Sequence, residues 1–497
     1  MQQLTGLDAA FLAMESRTTY GHIGSVIVLE PAAKGQPKLT LERLTKHVEA
    51  RLHLLPPYRR RLLRVPLDLD QPYWIDDEQF DIEFHVRELA LPKPGTDAQL
   101  AEQIARLHAR PLDRSRPLWE TYLIHGLAGD RMVVYTKIHH SAIDGVSGNE
   151  ILTALLDVSP DGRPDDGPHE WTPRGRPSDT TLLLRSGVSL SAQPVRAVRF
   201  AVALTKSLPG LLRTPGRPRV PVLDRFILDQ AAPREGDELL PRPGLRAPWT
   251  PFNRPITPHR RWSFISVSLD DVRTVRKAVP GMTVNDVVMA MCAGALRRYL
   301  LDHDALPKEP LVAGVPVSVR TEAQSSDLGN RVSTMFAPLP TNLASAEQRL
   351  QAAHEAMRSA KEQHQAMPAD LLADVTQFAM PAVAARAAQV AARLRLVEQV
   401  RPFNLIVSNV PGPNIPLYLA GAPLQAYYPV SAIADGQGLN ITVLGYLGQL
   451  HFGVLACREL VPDVDRIAGY LADELAALCN ETSQSVTTEA VQSGASS

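Results

Sequence analysis

Met132-Val133-Val134-Tyr135-Thr136-Lys137-Ile138-His139-His140-Ser141-Ala142-Ile143-Asp144-Gly145 is the stretch on which the fold turns. Its first seven residues are apolar and β-branched enough for a strand. A helical pattern resumes at Ile151, Leu152, Leu155 and Leu156. The two histidines therefore fall in a strand-to-helix turn, where rigid elements hold side chains that still reach a cleft. Histidine titrates near neutrality, so His140 is a candidate general base. Asp144 can orient that ring or brace the loop through a distant arginine. The residues alone leave a structural role for the histidines equally open. A metal site is not expected, because adjacent residues of an extended chain point to opposite faces and no H-E-x-x-H pattern is present. Gly145-Val146-Ser147-Gly148 lacks the spacing of a serine nucleophile elbow, and no glycine-rich phosphate loop occurs.

Outward from this turn, the chain of 497 residues reads as two folded regions and a connector. The first region, 1–180, carries an early helix, a strand over 23–29 and a helix opened by Thr40. The connector, 181–258, follows. Ten prolines lie between Pro215 and Pro258, and the seven basic residues from Arg185 to Arg219 have no acid among them. Such a basic amphipathic segment suits an anionic membrane surface or, equally plainly, a connector packed on the lobes. The second region, 259–480, carries a helix over 283–300, a strand over 312–319, helices over 347–361 and 369–400, and a hairpin turning at Gly448-Gln449. The polar residues 481–497 are expected to be a disordered tail. Alternating strands and helices in both regions predict an α/β fold of two lobes.

Lys plus Arg is 52 and Asp plus Glu 53, a net charge of -1, which excludes nucleic acid as the main partner. Hydrophobic residues at 44% supply a large core. The three cysteines form no framework and fit a reducing compartment. No secretory signal and no apolar run of membrane-spanning length are read, so a cytoplasmic protein is expected. From Pro402 to Cys457 the only charged residue is Asp435, but six prolines break any spanning helix; buried strands or the wall of an apolar tunnel are expected instead.

The pattern H-H-x-x-x-D-G resembles that of acyl-CoA-dependent acyltransferases and peptide-synthetase condensation domains. Further stretches narrow the likeness: Leu4-Thr5-Gly6-Leu7-Asp8-Ala9-Ala10-Phe11-Leu12, Arg59-Arg60-Arg61-Leu62, Tyr73-Trp74, Arg116-Pro117-Leu118-Trp119-Glu120, Thr283-Val284-Asn285-Asp286, Pro316-Val317-Ser318-Val319-Arg320, Gly329-Asn330-Arg331, Val407-Ser408-Asn409-Val410-Pro411-Gly412-Pro413 and Gly438-Leu439-Asn440. In this order they resemble the bacterial wax ester synthase/diacylglycerol O-acyltransferase family across nearly the whole chain. The resemblance is weakest in the connector. It implies two lobes similar to chloramphenicol acetyltransferase, with the active site in a tunnel between them. It implies transfer of a long acyl group from acyl-CoA to diacylglycerol or a fatty alcohol, with acyl-CoA as substrate and no cofactor. His140 would be the base and His139 its support. Asp144 with Gly145 would shape the loop, braced by Arg320. Asn285 would polarise the thioester oxygen or position the base, although Thr283 to Asp286 also reads as a helix cap. Contact with a membrane or lipid-droplet surface, on the inner membrane face or on lipid inclusions, goes with such substrates. The rival readings are a carrier-protein-dependent acyltransferase or condensation enzyme, and a non-catalytic lipid-binding protein of the same fold.

Overall fold

The computed structural model describes residues 1–32, 38–143, 151, 154–163, 171–187, 247–277, 279–318, 332–365 and 401–494. In chain order the first half gives β1 (Gln2–Gln3), α1 (Gly6–Met14), β2 (His22–Leu29), α2 (Leu41–Arg51), β3 (Arg60–Leu63), β4 (Tyr73–Asp76), α3 (Ile82–His85), β5 (Val86–Ala90), α4 (Asp97–His108), β6 (Trp119–Leu127) and β7 (Arg131–His139). The second half gives β8 (Arg260–Ser268), α5 (Leu269–Lys277), α6 (Val284–Asp302), β9 (Leu311–Ser318), β10 (Val332–Leu339), α7 (Ala346–Gln365), β11 (Leu405–Val410), β12 (Tyr418–Leu419), β13 (Ala422–Val430), β14 (Leu439–Tyr446), β15 (Gln449–Cys457) and α8 (Val464–Gly494). The early helix is capped by Thr5 and α2 by Thr40, whose side chains accept from backbone N–H groups that the helix leaves unpaired.

Two six-stranded sheets form an α/β fold of two lobes. The second is ordered β10-β9-β11-β14-β15-β8 and packs on α6, α7 and α8. Its centre is α6, apolar nearly all round, with Val287 to Leu296 buried. The first is ordered β12-β13-β2-β7-β6-β5. Two of its strands, β12 and β13, come from the second half of the chain: Leu424 pairs with Leu29 and Val430 with Gly24. A third core joins the lobes and mixes Val26, Tyr122 and Tyr135 with Trp262, Tyr428 and Leu455. There the backbones approach so closely that a Cβ on Gly453 would lie 1.8 Å from the Pro429 carbonyl oxygen.

The charge-poor 402–457 stretch is thus strand, as expected, but it serves both sheets. The hairpin of β14 and β15 turns at Leu447-Gly448, one residue earlier than the pattern suggests, and both residues have positive φ. After His139 the backbone makes a short 3-10 turn, His140–Ala142. The helix expected over 369–400 lies outside the described residues. The tail expectation for 481–497 meets a different backbone: α8 runs on to Gly494, since a nucleated helix extends at little cost per residue.

Candidate active site

The strand β7 delivers its last residue, His139, into the protein and the next, His140, to the rim. Alternation sets this: Lys137 and His139 face one side of the sheet, Thr136 and Ile138 the other. His139 is 1% exposed. Its Nδ1 accepts from the Ser141 backbone N–H at 3.1 Å and faces the Ser141 hydroxyl at 2.6 Å, which leaves the ring proton on Nε2. Nε2 lies 3.1 Å from Glu15 Oε1. Glu15 in turn accepts from Gly21 N–H at 2.7 Å and pairs with Arg114. Burial pushes the Glu15 carboxyl up, but His139, Gly21 and Arg114 outweigh it and hold the group at about 2. The motif's first histidine is therefore fixed in place by an ionised carboxylate.

Gly21 is required where it stands. Its carbonyl accepts the His140 N–H at 2.8 Å, and a Cβ on it would meet His139 Nε2 at 2.5 Å. Behind His139 lies a dense polar floor. Lys137, fully buried, donates to the Leu107 and Arg110 carbonyls and sits 3.2 Å from Glu120. His108 bonds Tyr135 and the Ser431 carbonyl, and burial pushes it down to about 3; His22 is also driven down by burial. Both are neutral at physiological pH and act as fixed hydrogen-bonding groups.

His140 is half-buried and stacks on Phe11 of α1, with ring centroids 4.3 Å apart and planes inclined by 21°. Ile138 and Ile143, which bracket it in sequence, line an apolar pocket with Ile23, Leu44, Val134 and Tyr427. The second lobe holds Asn285 in the first turn of α6, half-buried. The cap reading of its neighbour holds: Thr283 N–H donates to Asp286 Oδ2 at 2.8 Å and Asp286 N–H returns to Thr283 Oγ1 at 3.3 Å. His354 Nδ1 is 2.8 Å from the same carboxylate oxygen, so Asp286 is committed to structure. Asn285 has no hydrogen-bond partner among the described residues. Asp144, Gly145 and Arg320 lie outside the described residues, as does the expected contact between them. No cluster of metal-ligating side chains occurs among the described residues.

Residues 4–288 match the model of the wax ester synthase/diacylglycerol acyltransferase catalytic domain, and residues 328–479 the WS/DGAT C-terminal domain. The chain belongs to the wax ester synthase/diacylglycerol acyltransferase family. A probable diacylglycerol O-acyltransferase of Mycobacterium tuberculosis, tgs2, is 35% identical over 94% of this chain and 96% of its own length. The solved WS/DGAT enzyme of Marinobacter aquaeolei superposes with a TM-score of 0.68 at 30% identity, over 97% of this chain and all of that one. A trichothecene 15-O-acetyltransferase of Fusarium sporotrichioides (TM-score 0.56, 12% identity) and the starter condensation domain of rhizomide synthetase (0.51, 15%) share the fold. They cover 96% and 97% of this chain and 94% of their own. The chain is accordingly an acyltransferase of the WS/DGAT family.

Within that family frame, the quoted stretches divide into roles. Trp119 of the Arg116-to-Glu120 stretch is buried under Tyr58, Glu120 pairs with Lys137, and Arg116 stacks on Phe84. These are supports of the floor. Glu15 and Arg114 escape a reading of the sequence, because nothing in a lone acid or base announces which ring it will face. Phe11 sits inside the opening stretch and was legible only as part of the resemblance.

Proposed function

We propose that this WS/DGAT chain transfers a long-chain fatty acyl group from acyl-CoA to diacylglycerol, and also to long-chain alcohols, with His140 as the base. The acceptor's chain occupies the apolar pocket beside the motif. His140 takes the proton of the acceptor hydroxyl, the oxygen attacks the thioester carbonyl, the C–S bond breaks, and the CoA sulfur recovers the proton. No acyl-enzyme is needed, because holding both substrates together supplies proximity. Asn285 donates to the thioester oxygen, worth about 10²–10³ in rate for such a donor. Asp144 and Arg320 brace the loop across the lobes. Acyl-CoA enters as a substrate, and no further cofactor takes part.

The observation that carries this reading is the contrast between the two histidines. His139 is locked by Glu15 and Ser141, whereas His140 is half-buried and stacks on Phe11, and its sequence neighbours Ile138 and Ile143 line an apolar pocket. The protein works from the cytoplasmic side as a peripheral guest of a membrane or lipid inclusion. Leu183 and Leu184, 41% and 74% exposed beside Arg185, favour this, and no described helix is long and apolar enough to cross a membrane. The test is CoA-thiol release from palmitoyl-CoA with diacylglycerol, with hexadecanol and with no acceptor. His140→Ala is expected to lose about 10²–10⁴ in kcat while staying folded. Near-normal turnover in that variant sinks the assignment.

A further inference from the structure

Five hydroxyls line the apolar pocket beside the motif: Ser25, Tyr58, Thr121, Thr136 and Tyr427. Four of them pair off. Thr121 and Thr136 lie 3.1 Å apart, and Ser25 hydrogen-bonds the Tyr427 phenol. The fifth does not. Tyr58 is 1% exposed and its hydroxyl has no partner among the described residues. It cannot swing away to find one. Its ring is wedged against Trp119 at a centroid distance of 4.3 Å, and Trp119 Nε1 donates to the Tyr58 carbonyl at 2.8 Å. Burial raises its pKa, so it remains a protonated donor at neutral pH. A buried polar group left unsatisfied is unfavourable and calls for a partner.

We propose that the Tyr58 hydroxyl donates a hydrogen bond to an ester carbonyl of the acceptor lipid lodged in this pocket, and so selects diacylglycerol over simple fatty alcohols. This rests on the reading above that the pocket receives the acceptor. The chemistry of the candidates singles out the occupant. A fatty alcohol has a single oxygen, and acyl transfer requires that oxygen at His140. Diacylglycerol brings the same hydroxyl together with two ester carbonyls, set where its hydrocarbon chains begin. It can fill an apolar pocket and still offer Tyr58 an acceptor.

The test compares 1,2-dioleoylglycerol with its di-O-oleyl ether analogue, which keeps the hydroxyl and both chains but has no carbonyl. Binding to the full chain is followed by tryptophan fluorescence in micelles of fixed composition, for wild type and Tyr58→Phe. Wild type is expected to bind the ester about 10-fold more tightly than the ether. Tyr58→Phe keeps the ring and should erase that ratio without lowering the melting temperature, since it removes only an unpaired hydroxyl. An ester-to-ether ratio that is the same in both proteins overturns the proposal; a water molecule on the phenol would give that result. Thiol release is measured alongside. A wild type that keeps the binding preference but releases no CoA refutes the catalytic reading and leaves this one standing.

Discussion

Glu15 holds an imidazole still, and its electrostatics make that role measurable. Its carboxyl titrates at about 2 in the folded protein against a reference value of 4.5. A depressed folded-state value means stability that is present above about pH 4.5 and is lost as pH falls toward 2. Glu15→Gln is expected to cost about 1–3 kcal/mol at pH 7, with the gap to wild type narrowing below pH 4.5 in urea titrations. A constant gap across that range would remove the charge from the account. Gly21→Ala pushes a methyl into the His139 ring and should destabilise by about 1–3 kcal/mol, read as a lower melting temperature. At this scale the sequence showed the candidate pair, His139 and His140, because their position at a strand end is a local pattern. It could not show Glu15, Arg114 or the unpaired Tyr58. Their meaning lies in contacts made across the fold, such as Arg114 with Glu15 on α1's C-terminal side.

The elements were legible where local rules govern them. Thr40 and Thr283 announce α2 and α6, and both caps form. The start of α6 carries the cap and, next to it, the donor proposed above, and the two separate by experiment. Thr283→Ala should cost about 1 kcal/mol of stability and leave kcat nearly unchanged. Asn285→Ala should lower kcat about 10²-fold at an unchanged melting temperature, as steady-state rates and calorimetry can show. Equal stability losses in the two variants would return Asn285 to the cap. A second element-scale device ties the chain after the motif to α2. Arg51 and Asp157 form a fully buried ion pair at 2.9 Å. Arg51→Met leaves the buried carboxylate with only Arg163, 3.3 Å away, and is expected to cost about 1–3 kcal/mol in urea unfolding. No local pattern foretells this pair, since its partners lie 106 residues apart.

At the scale of the molecule, composition and alternation gave the α/β class and the two lobes. They did not give the transfer of β12 and β13 from the second half of the chain to the first sheet. A charge-poor run such as 422–430 reads the same whichever sheet it joins, because its alternation of buried and less buried residues marks a strand but names no partner. The strand β13 lies in the first sheet against β2 and packs on the second sheet at Gly453, so the first half is not complete alone. Residues 1–258 expressed without the rest should aggregate through the bare β2 edge and should become soluble on co-expression with 259–497. A soluble, cooperatively melting first half would contradict this dependence.

The borrowed strand also sets a clock. During synthesis Leu29 emerges about 400 residues before its sheet neighbour Leu424. At a usual 5–20 residues per second, the sheet that carries the histidines waits on the order of tens of seconds with one edge open. The first sheet cannot close that edge until β13 has been made, and whatever shields β2 in that interval bears on how much of the chain reaches the fold.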